Sequence, residues 1–283
     1  MRGMKFTKMH GCGNDYILVD CFREGESEDW PRLAREISDR HFGVGSDGLI
    51  LVMPSDVADF RMRMFNSDGS EGEMCGNGMR CFAKYVYERG MARTRGFTVE
   101  TLAGLIRPEV LPDGTVRVNM GRPSLKRGDV PVTGDPGEDA VGIEIDVRQR
   151  PMRATCVSMG NPHCVIVVDD LDAIDLALDG RAVETHPIFP RKANVEFVKV
   201  LARDHLRMRV WERGSGITMA CGTGACASAV ACSVNGLAER KVTVDLDGGT
   251  VEVEWSQDGF VYLTGPAEEI CEGVFTKWKR ASY

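Results

Sequence analysis

The sequence predicts a chain of α/β (α+β) class, built as two similar, pseudo-symmetric domains. Each is expected to be a strongly curved, mostly antiparallel sheet or barrel around a central helix. Three observations carry this expectation: an internal repeat, a series of short apolar alternations, and one helical segment that is apolar nearly all round. RMRMF at 61–65 returns as RMRVW at 207–211, a shift of 146, and ten residues after each aromatic stands a cysteine, Cys75 or Cys221, that opens a C-G-x-G. Gly13, Asn14 and an apolar run ending at Asp20 answer Gly160, Asn161 and a run ending at Asp169, and TVET at 98–101 resembles TVDL at 243–246. A near-constant offset of half the chain is the mark of a duplication.

The alternations at 5–9, 16–19, 49–53, 60–65 and 115–119, then at 152–157, 164–168, 195–201, 206–212 and 251–255, are bounded by turn residues and predict strands. Helices are expected at 30–41, with Pro31 in its first turn, and in the segments that begin at Cys75 and Cys221. ACASAVACSV at 225–234 is too apolar for a surface helix, so protein should surround it. The stretch 121–142, rich in Gly, Pro and Asp, suits a connection between domains. The domains are therefore expected at 1–122 and 123–264, with the tail 265–283 packing back on the first.

Composition narrows the function. The 283 residues are 43% hydrophobic and 27% charged, and 35 Lys and Arg against 42 Asp and Glu give a net charge of -7. That balance offers no attraction to nucleic acid or to an anionic membrane surface. The first residues lack the apolar core of a signal peptide, and the longest apolar runs, such as 165–168, fall far short of a membrane span. A cytoplasmic protein is expected. The ten cysteines then read as reduced thiols, and their spacings make no paired close ligands, so no metal site is expected.

Each C-G-x-G follows a strand and precedes a helix, which puts its cysteine at a helix N-terminus, where free N–H groups and the positive dipole end favour an anion. A single such motif means no more than a tight turn into a helix. Two related copies have a chemical use: one thiolate removes a proton from carbon while one thiol delivers a proton to the opposite face. Inversion of a stereocentre needs that pair, because a single base returns the proton to the side it left. A free thiol titrates near about 8.5 and the helix end contributes roughly 0.3–1 kcal/mol, so the dipole lowers each sulfur by up to about one unit. Sulfurs facing across one carbon could also oxidise to a Cys75–Cys221 disulfide in the open state.

GCGNDY at 11–16, FNSDGSEGEMCGNGMRC at 65–81, GNPHCV at 160–165 and WERGSGITMACGTGACAS at 211–228 together resemble diaminopimelate epimerase, in order and over essentially the whole chain. The resemblance implies cofactor-independent epimerisation of LL-2,6-diaminopimelate to the meso form, in lysine and peptidoglycan precursor biosynthesis, with the active site in a cleft between the domains. It implies Cys75 and Cys221 as the catalytic cysteines and His163 and Glu212 as residues that tune their ionisation. Asn14, Asn66, Asn161, Asn194, Glu212 and Arg213 would form the substrate shell, and Gly76 with Asn77 and Gly222 with Thr223 the helix-end groups that hold the reacting carboxylate. Members of the family are often homodimers, which implies a homodimer here. One position departs: after GSD some members carry a Gln that contacts substrate, and this chain has Gly48.

GVGSDG at 43–48 formally matches a dinucleotide fingerprint, but the run that follows it reads as a strand and not the required helix, and no lysine sits in a pyridoxal-phosphate context. No cofactor is expected. Proline racemases and hydroxyproline epimerases are the nearest alternative. Their first motif has His after C-G, where this chain has Asn77, and their second cysteine lies in a different context from WERGSG. A thiol redox protein and an amino-acid-binding module are the more distant alternatives.

Overall fold

The apolar alternations become strands, and the few helices pack on the sheets they form. The computed structural model describes residues 3–25 and 29–276. In chain order the strands of the first half are β1 (Met4–Gly11), β2 (Asn14–Asp20), β3 (Gly48–Met53), β4 (Phe60–Asn66), β5 (Glu71–Gly72), β6 (Val99–Thr101), β7 (Gly104–Ile106), β8 (Glu109–Val110) and β9 (Val116–Asn119). Then come β10 (Ile143–Val147), β11 (Arg150–Ser158), β12 (Pro162–Val167), β13 (Asn194–Ala202), β14 (His205–Glu212), β15 (Gly216–Ile217), β16 (Lys241–Leu246), β17 (Gly249–Trp255), β18 (Val261–Gly265) and β19 (Glu268–Phe275). The helices are α1 (Cys21–Glu24), α2 (Trp30–Ser38), α3 (Gly76–Glu88), α4 (Leu176–Glu184) and α5 (Gly222–Val234).

The chain divides into two compact units: unit 1 is Met1–Val118 with Gly265–Tyr283, and unit 2 is Asn119–Thr264. The main sheet of unit 1 runs β19-β1-β2-β3-β4-β6-β7, antiparallel except at β2/β3 and β4/β6. That of unit 2 runs β10-β11-β12-β13-β14-β16-β17-β18, antiparallel except at β12/β13 and β14/β16. The two parallel joints fall at matching places, so the duplication in the sequence is a duplication of topology. The architecture is mixed α+β, with two sheet-rich units and few helices.

In unit 1, α2 buries Trp30, Leu33, Ala34 and Ile37, spaced at helical period, against Ile17, Val19, Leu49 and Leu51 on one sheet face. Alternate residues of the same strands, Tyr16 and Ile50 among them, face α3 on the other side. A strand covered on both faces reads as a continuous apolar run, which is why every residue of β3, GLILVM, is buried. In unit 2, α5 is buried at nearly every position from Gly222 to Cys232, as its all-round apolar sequence requires. The opposite sheet face holds a core that includes Cys156, Ile166, Val195 and Phe197 together with Leu176 and Val183 of α4. Val130, Val132 and Ala140 of the irregular connection join this core.

Two differences from the sequence expectation have local causes. The helix expected over 30–41 ends at Ser38, because Asp39 turns to an extended conformation and its carboxylate accepts hydrogen bonds from the N–H groups of His41 and Phe42. Helix α4 was not expected, since its sequence LALDGRAVE has a weak apolar stripe and Gly180 at its centre. That glycine is there for packing. A Cβ on Gly180 would lie 2.6 Å from Trp211 Cβ and 2.7 Å from its Cγ, so the helix and β14 approach more closely than any larger residue permits. Trp211 Nε1 also donates to Glu184 Oε2 at 2.9 Å, fixing the indole across the helix.

Helix propensity alone would favour Ala over Gly at position 180 by about 1 kcal/mol. The contact with Trp211 reverses the sign: Gly180→Ala is expected to lower stability by about 1–3 kcal/mol, read from the urea midpoint.

Candidate active site

Cys75 and Cys221 are the N-cap residues of α3 and α5, each in extended conformation immediately before a Gly that begins the helix. Their backbones therefore deliver the sulfur to the end of the helix where unpaired N–H groups and the positive dipole end converge. The duplication extends to the neighbours of each sulfur. Two strands of each sheet, β2 and β3 in unit 1 and β12 and β13 in unit 2, run parallel beneath the helix start and carry Asn14, Tyr16, His163 and Asn194.

In unit 1, Tyr16 is buried and donates its hydroxyl hydrogen to Cys75 Sγ at 3.1 Å. Burial first, and the neighbouring sulfur second, push this phenol well above its ordinary range, so it remains a donor. Cys75 Sγ lies 3.6 Å from Asn14 Oδ1, and Asn77 Nδ2 donates to the same oxygen at 3.1 Å. Asn14 in turn donates to Asp47 Oδ2 at 2.7 Å. Asp47 is held by Arg40 at 2.9 Å, which also binds Asp15 at 2.8 Å, and Lys8 reaches Asp15 at 2.9 Å. This network of charges fixes the amide that meets Cys75. Asn66, at the exposed end of β4, donates to Ser70 Oγ at 2.9 Å.

In unit 2, Cys221 is buried and accepts a hydrogen bond from Gly224 N at 3.4 Å, with Thr223 Oγ1 at 3.5 Å. Asn161 Nδ2 donates to Thr223 Oγ1 at 3.3 Å, and His163 Nε2 meets Asn161 Oδ1 at 2.9 Å. Glu212 accepts from the hydroxyl of Thr218. Asn194 is committed to the backbone: its Nδ2 donates to Pro162 O at 2.9 Å and its Oδ1 accepts from Arg213 N at 2.9 Å, tying β12 to the end of β14. The Arg213 side chain is exposed, with Nη1 3.4 Å from Arg191 O. Gly76 and Gly222 are buried at the two helix starts.

The helix-end argument from sequence lowers both sulfurs, and for Cys221 the structure reverses it. Burial, then the carboxyls of Glu212 and Glu196, push this thiol well up, outweighing the hydrogen bonds from Thr223 and Gly224. Burial likewise raises Glu212 above the ordinary carboxyl range, against the pull of the Thr218 bond. Glu196 and Tyr16 were not singled out from the sequence. Glu196 sits in an unremarkable strand pattern, and only pairing each half of the repeat with the other would have drawn attention to it. A ring nitrogen of His163, a carboxyl oxygen of Glu196 and the sulfur of Cys221 lie within 4.8 Å of one another.

Gly48 has a structural reason. A Cβ there would meet Phe65 O at 2.4 Å and Tyr16 Cε1 at 3.3 Å, so a side chain at this position cannot enter without moving β4.

Solved structures share this arrangement of two sheet-rich units. The chain matches a probable proline racemase from Agrobacterium radiobacter at TM-score 0.70 and 17% identity, over 97% of this chain and 93% of that one. It matches the Bacillus anthracis phenazine biosynthesis protein of the PhzF family at TM-score 0.68 and 19% identity, over 96% and 99%. The fold is thus that of the proline racemase and PhzF class. Within it, the family model for diaminopimelate epimerase matches residues 6–126 and 155–270. Curated relatives named diaminopimelate epimerase include one from Pelotomaculum thermopropionicum, 54% identical over 96% of this chain and 99% of the relative, and one from Nostoc, 48% identical over 95% and 99%. The chain belongs to the diaminopimelate epimerase family. Among the described residues no helix is long and apolar enough to cross a membrane.

The charge network beneath Asn14 predicts a pH dependence. Burial would raise the Asp15 carboxyl, but its bonds from Arg40 and Lys8 prevail and hold it below the usual range. A depressed carboxyl stabilises the fold above its unfolded value of about 3.9, and that contribution disappears as pH falls through the lower folded value. Asp15→Asn should therefore cost about 1.5–3 kcal/mol at pH 7, and the gap from the wild type should close progressively below about pH 4 in urea melts.

Proposed function

We propose that the protein interconverts LL- and meso-2,6-diaminopimelate by proton transfer between sulfur and the α-carbon, without a cofactor. The observation that carries this reading is the pair of cysteines, one capping each of two duplicated helices, in a chain of the diaminopimelate epimerase family. Inversion at carbon requires one sulfur to take the α-hydrogen while the other returns a hydrogen to the opposite face. One proton leaves carbon and one arrives, and the thiolate and thiol exchange identities.

Cys221, whose burial and carboxyl neighbours favour the thiol, delivers the proton in the direction in which Cys75 takes one, and the Tyr16 hydroxyl donates to Cys75 Sγ. The reverse reaction starts from the exchanged pair. The helix starts at Gly76 and Asn77 and at Gly222 and Thr223 receive the carboxylate next to the reacting carbon, where N–H groups stabilise charge growing on its oxygens. His163 and Glu212 tune Cys221. Asn14, Asn66 and Asn161 hold the polar ends of the substrate, Glu212 takes an ammonium, and Arg213 takes a carboxylate through its planar fork. Asn194 contributes by fixing the backbone of Arg213. A closed, dry site strengthens each of these interactions. The protein works as a cytoplasmic homodimer. Asn77 after C-G and Glu212-Arg213 before the second cysteine favour diaminopimelate over proline or hydroxyproline as substrate.

The decisive experiment uses solvent deuterium. The wild type should wash label into the α-position of LL-diaminopimelate without added cofactor, and leave proline unlabelled. Cys75→Ala and Cys221→Ala should each reduce interconversion by at least about 10²–10⁴-fold. Either variant turning over at the wild-type rate overturns the reading.

A further inference from the structure

The duplication allows the two half-sites to be compared position by position, and they differ sharply at one place. In unit 1, Tyr16 of β2 and Ile50 of β3 lie against Gly78 of α3, where a Cβ would meet Ile50 Cδ1 at 2.9 Å and Tyr16 Cε2 at 3.6 Å. The repeat carries these three positions to His163, Glu196 and Gly224, at shifts of 147, 146 and 146. There a Cβ on Gly224 would meet Glu196 Oε1 at 2.6 Å and Cys221 Sγ at 3.2 Å. A phenol beside an alkyl group in one half has become an imidazole beside a carboxyl in the other, and the missing Cβ of Gly224 is what leaves room for that carboxyl next to the sulfur.

The hydrogens of this pair can be assigned from its partners. With the Asn161 amide turned so that Nδ2 donates to Thr223, Oδ1 faces His163 and accepts, which places a hydrogen on His163 Nε2. Nδ1 meets Glu196 Oε1 at 2.7 Å, and both side chains are 0% exposed. One proton lies between them. Whether it sits on nitrogen or on oxygen, the pair sums to zero charge, the condition under which an ionisable pair survives burial. Among the described residues Glu196 Oε2 has no hydrogen-bond partner, so His163 is the group seen to hold this carboxyl.

We propose that Glu196 is a positioning residue for the half-site of Cys221: by sharing one proton with His163 it fixes the imidazole with Nε2–H toward Asn161 and keeps beside Cys221 a proton-holding pair that the half-site of Cys75 lacks. The groups facing this cluster are Glu212 from β14 and Cys221 from α5, with the thiols of Cys164 from β12 and Cys156 from β11 behind it. The inference rests on the reading of Cys221 as an acid–base group.

The test uses Glu196→Gln, which keeps shape but cannot share a proton. Glu196→Ile, the residue that the repeat places at the matching position of unit 1, serves if the amide fails to fold. In substrate-free protein the wild type should show a downfield proton resonance from the His163–Glu196 hydrogen bond, and both variants should lack it. The pH midpoint for alkylation of Cys221, followed by peptide mapping, should fall in Glu196→Gln as the facing carboxyl is removed. Turnover should drop between about 10- and 10⁴-fold in kcat, with KM within about twofold, and Glu196→Asp should restore part of it. A resonance that persists in Glu196→Gln, an unmoved or raised alkylation midpoint, or wild-type kcat in both variants overturns the proposal. The resonance and the alkylation need no turnover, so a protein inactive on diaminopimelate that shows both would refute the proposed function and leave this inference standing.

Discussion

The site depends on how closely a helix start can approach a sheet. α3 begins over the parallel joint of β2 and β3 and α5 over that of β12 and β13, and the third residue of each, Gly78 and Gly224, presses its bare α-carbon against strand side chains. A methyl group at either glycine would push the helix away and carry the capping sulfur with it. Dense interiors transmit such a displacement because they contain little free volume to absorb it. The glycines of C-G-x-G therefore act through distance as well as through the turn: they set where the sulfur and the N–H groups stand relative to the strands that supply Tyr16, Asn14, His163 and Asn161.

On that common frame the two halves have diverged in polarity. The capping sulfur of unit 1 faces an amide and a phenol, groups that donate or accept without changing charge near neutral pH. The sulfur of unit 2 faces carboxyls and an imidazole, and sits deeper. The unequal surroundings come from residues on strands whose positions both halves inherited from the same ancestor.

Much of this was legible in the amino-acid order. The repeat of RMRMF and C-G-x-G foretold two units of one topology, because duplicated spacing is preserved when the strands beneath it are preserved. Helix α5 announced its burial by lacking a polar side, and the capping positions of Cys75 and Cys221 followed from glycine after a strand. What was not legible depended on contacts distant in sequence. Gly180 reads as a helix breaker until Trp211 is seen against it, and Asp39 ends α2 through hydrogen bonds that no periodicity reveals. Glu196 is one more residue of a β-pattern unless its partner across the parallel joint is known. The lowered ionisation expected for Cys221 failed for the same reason: a helix end contributes its small term wherever it occurs, whereas the opposing carboxyls come from two other strands.

The pairing of β19 with β1 has a consequence for synthesis. Unit 2 is drawn from one continuous stretch of chain, Asn119–Thr264, while unit 1 is assembled from segments on either side of it. The outer edge of β1 is matched, from Met4 with Phe275 to His10 with Glu268, by residues that are synthesised only after the whole of unit 2. The second unit can thus be complete on a nascent chain while the first still exposes an open strand edge, a surface prone to wrong partners until β19 has been made.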